Sequence, residues 1–233
     1  MGDTFQRVEI KYLMNTAKKE AFLRLVREHV KPDDYGVYTV QNIYFDTDHF
    51  DLVRRSMEKP VYKEKLRLRS YGTPDMNSKV FLEIKKKYKG IVYKRRTDFP
   101  LSEAYDYIKG RIRPAGLNPQ IFREIDYFMQ YYDPKPAVVL CYDRVAYVGT
   151  EDPDFRLTID TNIRSRDTDL RLENGSYGEM LFDQPMFLME IKAMGAMPRW
   201  LVKALSQLQI YPVSFSKYGR VYQKERERGQ LAC

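Results

Sequence analysis

The stretch KLRLRSYG at residues 65–72 alternates basic side chains with leucine and contains no acid. Three further stretches, VEIKY (8–12), LEIKKK (82–87) and MEIKA (189–193), place an acid and a base two positions apart around an isoleucine. Side chains at i and i+2 on a β-strand share a face. Glu9 and Lys11 therefore point together, as do Lys65, Arg67 and Arg69, Glu83 and Lys85, and Glu190 and Lys192. Ile10, Leu66, Leu68, Ile84 and Ile191 point the other way. In an ordinary sandwich the aliphatic face is the core and the charged face meets water, and any one of these strands fits that arrangement. A solvated face usually mixes Thr, Ser and Gln with its charges, whereas these carry Arg and Lys with few neutral polar residues. Several strands doing this together predict a barrel of inverted polarity, with charges lining a tunnel and aliphatics outside beneath helices. A small barrel of about eight strands can enclose such an interior.

The punctuation of the chain supports this. Strand patterns run over 5–14, 37–47, 62–72, 78–90, 91–100, 135–149, 155–166 and 185–195, with a hairpin at Lys89-Gly90. Helical spacing runs over 16–30, entered at Asn15-Thr16 and stopped by Pro32, and over 101–110. It recurs over 118–132, behind Asn118 and Pro119, and over 198–208. Residues 50–59 read as a short helix or turn, 211–225 as the end of the ordered part, and 226–233 as a frayed tail. No linker, low-complexity segment or fixed-period repeat interrupts the chain. The expectation is one α+β domain over 1–233, ordered over about 5–225. It is built on an antiparallel β-barrel of about eight strands that forms a charged tunnel flanked by helices.

Forty basic against 32 acidic residues give a net charge of +8, which points to an anionic partner: phosphate, nucleotide, nucleic acid or acidic lipid. Like charges about 4 Å apart repel by ~4 kcal/mol at an effective dielectric of ~20. Converging bases therefore need an anion among them, or the interleaved acids Glu9, Glu83 and Glu190. Those glutamates can also hold a divalent cation that accompanies a polyphosphate. No GxxxxGK[ST] or GxGxxG loop is present, which argues against a P-loop or Rossmann nucleotide site. The two histidines, His29 and His49, read as structural or surface residues, and Lys86 and Lys87 as a solvated strand end. Cys141 and Cys233 show no metal or disulfide spacing, which fits a reducing cytoplasm. The N-terminus has no signal-peptide h-region, and no run approaches the ~18 apolar residues of a membrane span.

Eight motifs occur in order: YFDT (44–47), KLRLRSYG (65–72), FLEIKKK (81–87), YKRR (93–96), YDRVAY (142–147), FRLTIDT (155–161), LMEIKA (188–193) and FSKY (215–218). Together they resemble the VTC-type polyphosphate polymerase domain of the triphosphate tunnel metalloenzyme, or CYTH-like, superfamily, over about residues 5–225. The resemblance implies an antiparallel barrel tunnel and ATP-dependent polyphosphate synthesis with a divalent metal, Mn²⁺ or Mg²⁺. It implies Arg67, Arg69, Lys85, Arg144 and Arg156 as catalytic residues on the triphosphate. It implies Lys11, Lys94, Arg96, Lys192 and Lys217 as further lining, Tyr142 beside the nucleotide, Ser216 on a phosphate, and Glu190 on the metal. The hydrolase branch of the superfamily opens with Glu-x-Glu-x-Lys. Residues 7–11 read RVEIK, so Arg7 stands where that branch has its first glutamate, which favours transfer over hydrolysis. The rival readings are a triphosphate or tripolyphosphate hydrolase and a non-catalytic polyphosphate or inositol-phosphate sensor; a nucleic-acid binder ranks last. The implied partners are ATP and polyphosphate or pyrophosphate, with no nucleic acid and no direct membrane insertion. A membrane partner would be a separate protein.

Overall fold

The computed structural model describes residues 7–114 and 118–229. In chain order the elements are β1 (Arg7–Asn15), α1 (Thr16–Val26), β2 (Val30–Asp46), α2 (Asp51–Met57), β3 (Tyr62–Tyr71), β4 (Lys79–Tyr88), β5 (Ile91–Pro100) and α3 (Leu101–Gly110). They continue with α4 (Pro119–Tyr132), β6 (Lys135–Gly149), β7 (Arg156–Arg166), β8 (Glu179–Met180), β9 (Met186–Met194), α5 (Arg199–Gln207) and α6 (Lys217–Glu227). The fold is α+β with antiparallel strands throughout the recorded pairings.

The chain forms two compact units. The first holds residues 1–38, 142–163 and 182–215, and the second 39–141, 164–181 and 216–233, so β2, β6 and β7 supply residues to both. The strand order is β1-β9-β7-β6 in the first unit and β6-β2-β3-β4-β5 in the second, where β8 pairs with β7.

Each unit places its aliphatic strand face under helices, as the alternation predicts. In the first, Tyr12, Met14, Leu157, Ile159, Met189 and Ile191 pack beneath Phe22 and Val26 of α1 and Leu201 and Leu205 of α5. In the second, Ile43, Phe45, Leu66, Leu68, Leu82 and Ile84 pack beneath Leu101 and Tyr107 of α3 and Phe122, Ile125 and Phe128 of α4. Full burial of each such side chain contributes ~1.5–3 kcal/mol. A one-residue slip would turn Leu66, Leu68 and Ile84 onto the charged face, so the register is strongly fixed.

Local signals set the element ends. Asn15 Oδ1 accepts from Lys18 N at 2.9 Å and caps α1, and Asn118 Oδ1 accepts from Gln120 N at 2.9 Å and caps α4. Lys89 and Gly90 have φ of 47° and 87°, the left-handed pair that a tight hairpin turn requires.

Three expectations are corrected. Barrel closure is not made by backbone pairing: β5 pairs with β4 alone among the described residues, and β1 pairs with β9 and, through one bridge, with Pro212. Exposed Lys94, Arg95 and Arg96 blunt the outer edge of β5, a common protection against further strand addition. Helix α1 ends at Val26 rather than residue 30, because Pro32 has no amide donor and disfavours helix before it, so residues from Val30 enter β2. The stretch from Lys217 is helical and runs past residue 225 to Glu227. Residues 230–233, and Cys233 with them, lie outside the described residues.

Candidate functional site: two charged strand faces

In the second unit the charged faces of β2, β3, β4 and β5 line up in cross-strand rows. One row is Tyr44, Arg67, Glu83 and Arg96; the next is Lys65, Lys85 and Lys94. Glu83 is 2% exposed and holds the first row together. Arg67 Nε donates to Glu83 Oε2 at 2.7 Å, and Lys94 Nζ stands 2.7 Å from Oε1. Arg69 Nε lies 3.9 Å from Oε2 and Arg96 Nη1 4.0 Å from Oε1. Burial pushes the Glu83 carboxyl up, but Arg67, Arg69 and Lys94 outweigh it and hold the pKa at about 2. Glu83 is thus an ionised counter-charge serving four cations. One of these cations, Lys94, also stands opposite Lys85, which stands opposite Lys65, so like charges meet across β3, β4 and β5 and repel one another.

Buried Tyr44 belongs to this face. Its hydroxyl accepts from Arg67 Nη1 at 3.3 Å. Burial raises its pKa, but Arg67, Arg69 and Lys65 more than reverse this and lower it to about 8. The Tyr44 ring stacks on Tyr218 at 5.0 Å, and Tyr218 Oη donates to Asp46 Oδ2 at 2.9 Å. Asp46 also accepts from Leu52 N and Val53 N, at 2.8 and 3.0 Å, so one buried carboxylate ties the starts of α2 and α6 to β2. That tie sets Ser216 and Lys217 at the N-terminus of α6, where the helix dipole favours negative charge. Ser216 Oγ accepts from Gly219 N at 3.2 Å as the cap, and from Lys65 Nζ at 3.0 Å. Gly219 suits its place: a Cβ there would stand 3.3 Å from Ser216 Cβ.

The first unit carries a different charged face. Lys11 stands opposite Glu190, Glu9 opposite Lys192, and Lys192 opposite Arg156. Lys192 Nζ is 2.8 Å from Glu190 Oε1, and Lys11 Nζ is 3.9 Å from both Glu9 Oε1 and Glu190 Oε2. Two acids, Glu9 and Glu190, alternate here with Lys11 and Lys192, and Arg156 stands at the end of the row. Arg144 Nε and Nη2 donate to the two oxygens of fully buried Asp160 at 2.6 and 2.8 Å, and its guanidinium lies 5.1 Å from the centre of the Tyr142 ring. Two of its five donors are therefore committed to the protein.

Among the described residues, no group of three or more His, Cys, Asp or Glu could hold a metal ion. The first unit does present a hard-oxygen set. Glu9 and Glu190 share Lys11, and Thr158, opposite Glu190, has a buried Oγ1 without a hydrogen-bond partner. Such a set suits Mg²⁺ or Mn²⁺, which take one or two carboxylates and complete their shell with water and phosphate oxygens.

The second unit brings together Arg67, Arg69, Lys85, Lys94 and Arg96, with Lys65 linking the face to Ser216. The first brings together Lys11, Arg156, Glu190 and Lys192 on one strand face and Tyr142 with Arg144. Arg7 opens β1, but its side chain lies outside those described. Sequence reasoning missed Tyr44, Asp46 and Asp160. The first two lie inside the YFDT motif, which was their available signal, and Asp160 in FRLTIDT. His29 stacks on Trp200 at 4.7 Å, a packing role, and Lys86 pairs with Glu124 at 2.9 Å rather than standing solvated.

Residues 6–225 match the family described as the VTC domain. Subunit 4 of the vacuolar transporter chaperone complex of Schizosaccharomyces pombe is 27% identical over an alignment of 145 positions that covers 53% of this chain and 20% of that protein. The match thus spans about one fifth of the length of that relative. A solved structure from Bacillus halodurans, described as a candidate adenylate cyclase, superposes with a TM-score of 0.57 at 16% identity, covering 90% of this chain and 93% of that one. That likeness is one of fold.

Proposed function

The chain belongs to the VTC domain family, and from that premise we propose that it is a polyphosphate polymerase domain. In the reaction the γ-phosphorus of ATP leaves the β–γ bridging oxygen and bonds to a terminal oxygen of a polyphosphate, releasing ADP. The observation that carries this reading is the excess of cations on the second unit's face. Four cations surround one ionised carboxylate, and one of them, Lys94, continues into a row with Lys85 and Lys65, six cations in all. A linear triphosphate supplies the missing negative charge in a matching one-dimensional form.

The acceptor is a phosphate oxygen already ionised at neutral pH, so the reaction requires positioning and charge neutralisation rather than a strong base. Arg67 and Arg69, steered by Glu83 and Asn42, present planar forks that match phosphate oxygens. Lys65, Lys85 and Lys94 act as mobile point charges along which a polymer can slide. Ser216 and Lys217 offer a hydroxyl and the N-terminus of α6 to a phosphate. Tyr142 braces Arg144 beside Asp160, and Lys11, Lys192 and Arg156 supply charge on the first unit's face. Glu190, with Glu9, would hold the divalent metal, Mn²⁺ or Mg²⁺, which when bound would neutralise charge on the phosphates. The buried thiol of Cys141, which is in no disulfide, suits a reducing cytoplasm. The relative's name is that of a complex, and we infer that this chain also works with a partner protein.

The test is incubation of the purified chain with ATP and Mn²⁺. Long polyphosphate on a gel is the expected product. Free phosphate without polymer would replace the reading with hydrolysis. No turnover, with strong thermal stabilisation by pyrophosphate, would replace it with a sensor.

A further inference from the structure

The hairpin that joins β4 to β5 projects features that phosphate chemistry does not use. Seven of residues 84–97 are Lys or Arg; Lys85, Lys94 and Arg96 belong to the charged face described above and Lys86 and Arg95 lie against Glu124, which leaves Lys87 and Lys89 exposed at the turn. The sheet face that packs beneath α3 and α4 continues toward the turn as Tyr62, Tyr88, Ile91 and Tyr93, which are paired or adjacent across β3, β4 and β5. These side chains are exposed: Ile91 by 53% and Tyr93 by 47%. Val61, which accepts from Lys89 N at 3.0 Å, adds a further exposed aliphatic at 63%, and Val92 is exposed on the opposite face. The sheet thus outruns its helical cover. Its apolar stripe ends in water beside Lys89, whose ammonium lies 5.4 Å from the centre of the Tyr88 ring, while exposed Lys87 stands with Val92 on the other face.

We propose that this hairpin tip is a docking element for an anionic phospholipid surface: Ile91, Val92 and Val61 enter the headgroup boundary, and Lys87 and Lys89 meet the lipid phosphates and carboxylates. A contiguous exposed apolar patch ringed by charge marks an interaction site. Its chemistry selects the partner. Branched aliphatics at the apex cannot stack on bases, which argues against single-stranded nucleic acid. Tyrosine rings favour the interface between water and lipid, where one end is apolar and the other wet. Lysine stems lie along apolar surface while their ammonium groups reach outward. The two exposed lysines at the turn, Lys87 and Lys89, complement a negatively charged leaflet. This docking is peripheral, and among the described residues no helix is long and apolar enough to cross a membrane.

Co-sedimentation of the whole chain with phosphatidylcholine vesicles, with and without phosphatidylserine, tests this. The native chain is expected to bind only the phosphatidylserine vesicles, with hydrogen-exchange protection appearing at residues 88–93. Lys89→Ala should weaken binding about fivefold and Lys87→Ala by a similar factor. Ile91→Asp with Val92→Asp should abolish it at an unchanged melting temperature. Because all four residues are exposed, Val61→Ser serves as a second apolar variant if the double variant unfolds; it too should weaken binding. Equal binding to both vesicle types, undiminished binding by the Ile91/Val92 and Val61 variants, or binding of an RNA oligomer but of no vesicle would overturn the proposal. None of these readouts depends on polyphosphate synthesis, so the two proposals can fail separately.

Discussion

Glu83 and Glu190 occupy the same tripeptide, Glu-Ile-Lys, on antiparallel strands, yet their surroundings differ. Across from Glu83 stand Arg67 and Arg96, with Arg69 and Lys94 also within reach, so the acid is outnumbered, buried and ionised. Across from Glu190 stand Lys11 and Thr158, with Lys192 beside it on its own strand and Glu9 sharing Lys11, so two lysines meet two carboxylates and the Thr158 hydroxyl oxygen is left over. The first arrangement gathers more cations than carboxylates. The second has carboxylate oxygens that a hard cation can share. Cross-strand neighbours, rather than the local motif, decide which role a glutamate takes.

Several experiments would break or sharpen that contrast. Glu83→Gln has the largest expected effect. It leaves buried cations uncompensated and should cost about 3–5 kcal/mol in denaturant unfolding. Pyrophosphate at about 100 times its Kd should restore ~2.7 kcal/mol of this. The acid limb of stability belongs to the same residue. The Glu83 pKa in the folded chain, about 2, lies below the reference of 4.5. Its contribution, roughly 3 kcal/mol, is present above the unfolded pKa and is lost as pH falls toward the folded one. Urea titrations across that window should show this slope in the native chain and not in Glu83→Gln.

Arg69→Ala should lower kcat/KM on the order of 100-fold, about 3 kcal/mol of transition-state stabilisation, with the fold retained by circular dichroism. Near-native polymer output from this variant would remove Arg69 from the site. Glu190→Gln should change stability by less than about 1 kcal/mol, as suits a partly exposed ion pair, while raising the Mn²⁺ concentration needed for turnover. A stability loss as large as that of Glu83→Gln would erase the distinction drawn above. The smallest effect is spectroscopic. Tyr44 titrates at about 8, below the usual 10, because Arg67, Arg69 and Lys65 favour its anion. Bound pyrophosphate should offset those cations and move the tyrosinate absorbance midpoint upward, and Tyr44→Phe should remove the transition.

Much of the architecture was legible in the alternation. Leu66, Leu68 and Ile84 had to share one side and Arg67, Arg69 and Glu83 the other, and the structure places them so. The closing helix α6 was not legible, because Tyr218, Val221 and Tyr222 form a short apolar stripe among many charges and its anchor, Asp46, lies far away in sequence. The division of labour among the glutamates was hidden for a related reason. Register across strands is a tertiary fact, and three copies of one tripeptide cannot reveal it. Arg144 illustrates the limit: nothing near it in sequence announces that Asp160 takes two of its donors.

The most direct test of the central claim is calorimetric titration of tripolyphosphate into the native chain and into a variant with Lys65, Lys85 and Lys94 all changed to alanine. If the lysine row is an incomplete charge arrangement awaiting a phosphate chain, the variant should bind at least about 100-fold more weakly, by loss of several close charge contacts. Its unliganded stability should change little, because the relieved repulsion offsets the loss of the Lys94–Glu83 pair. Native-like affinity in the variant would contradict the account.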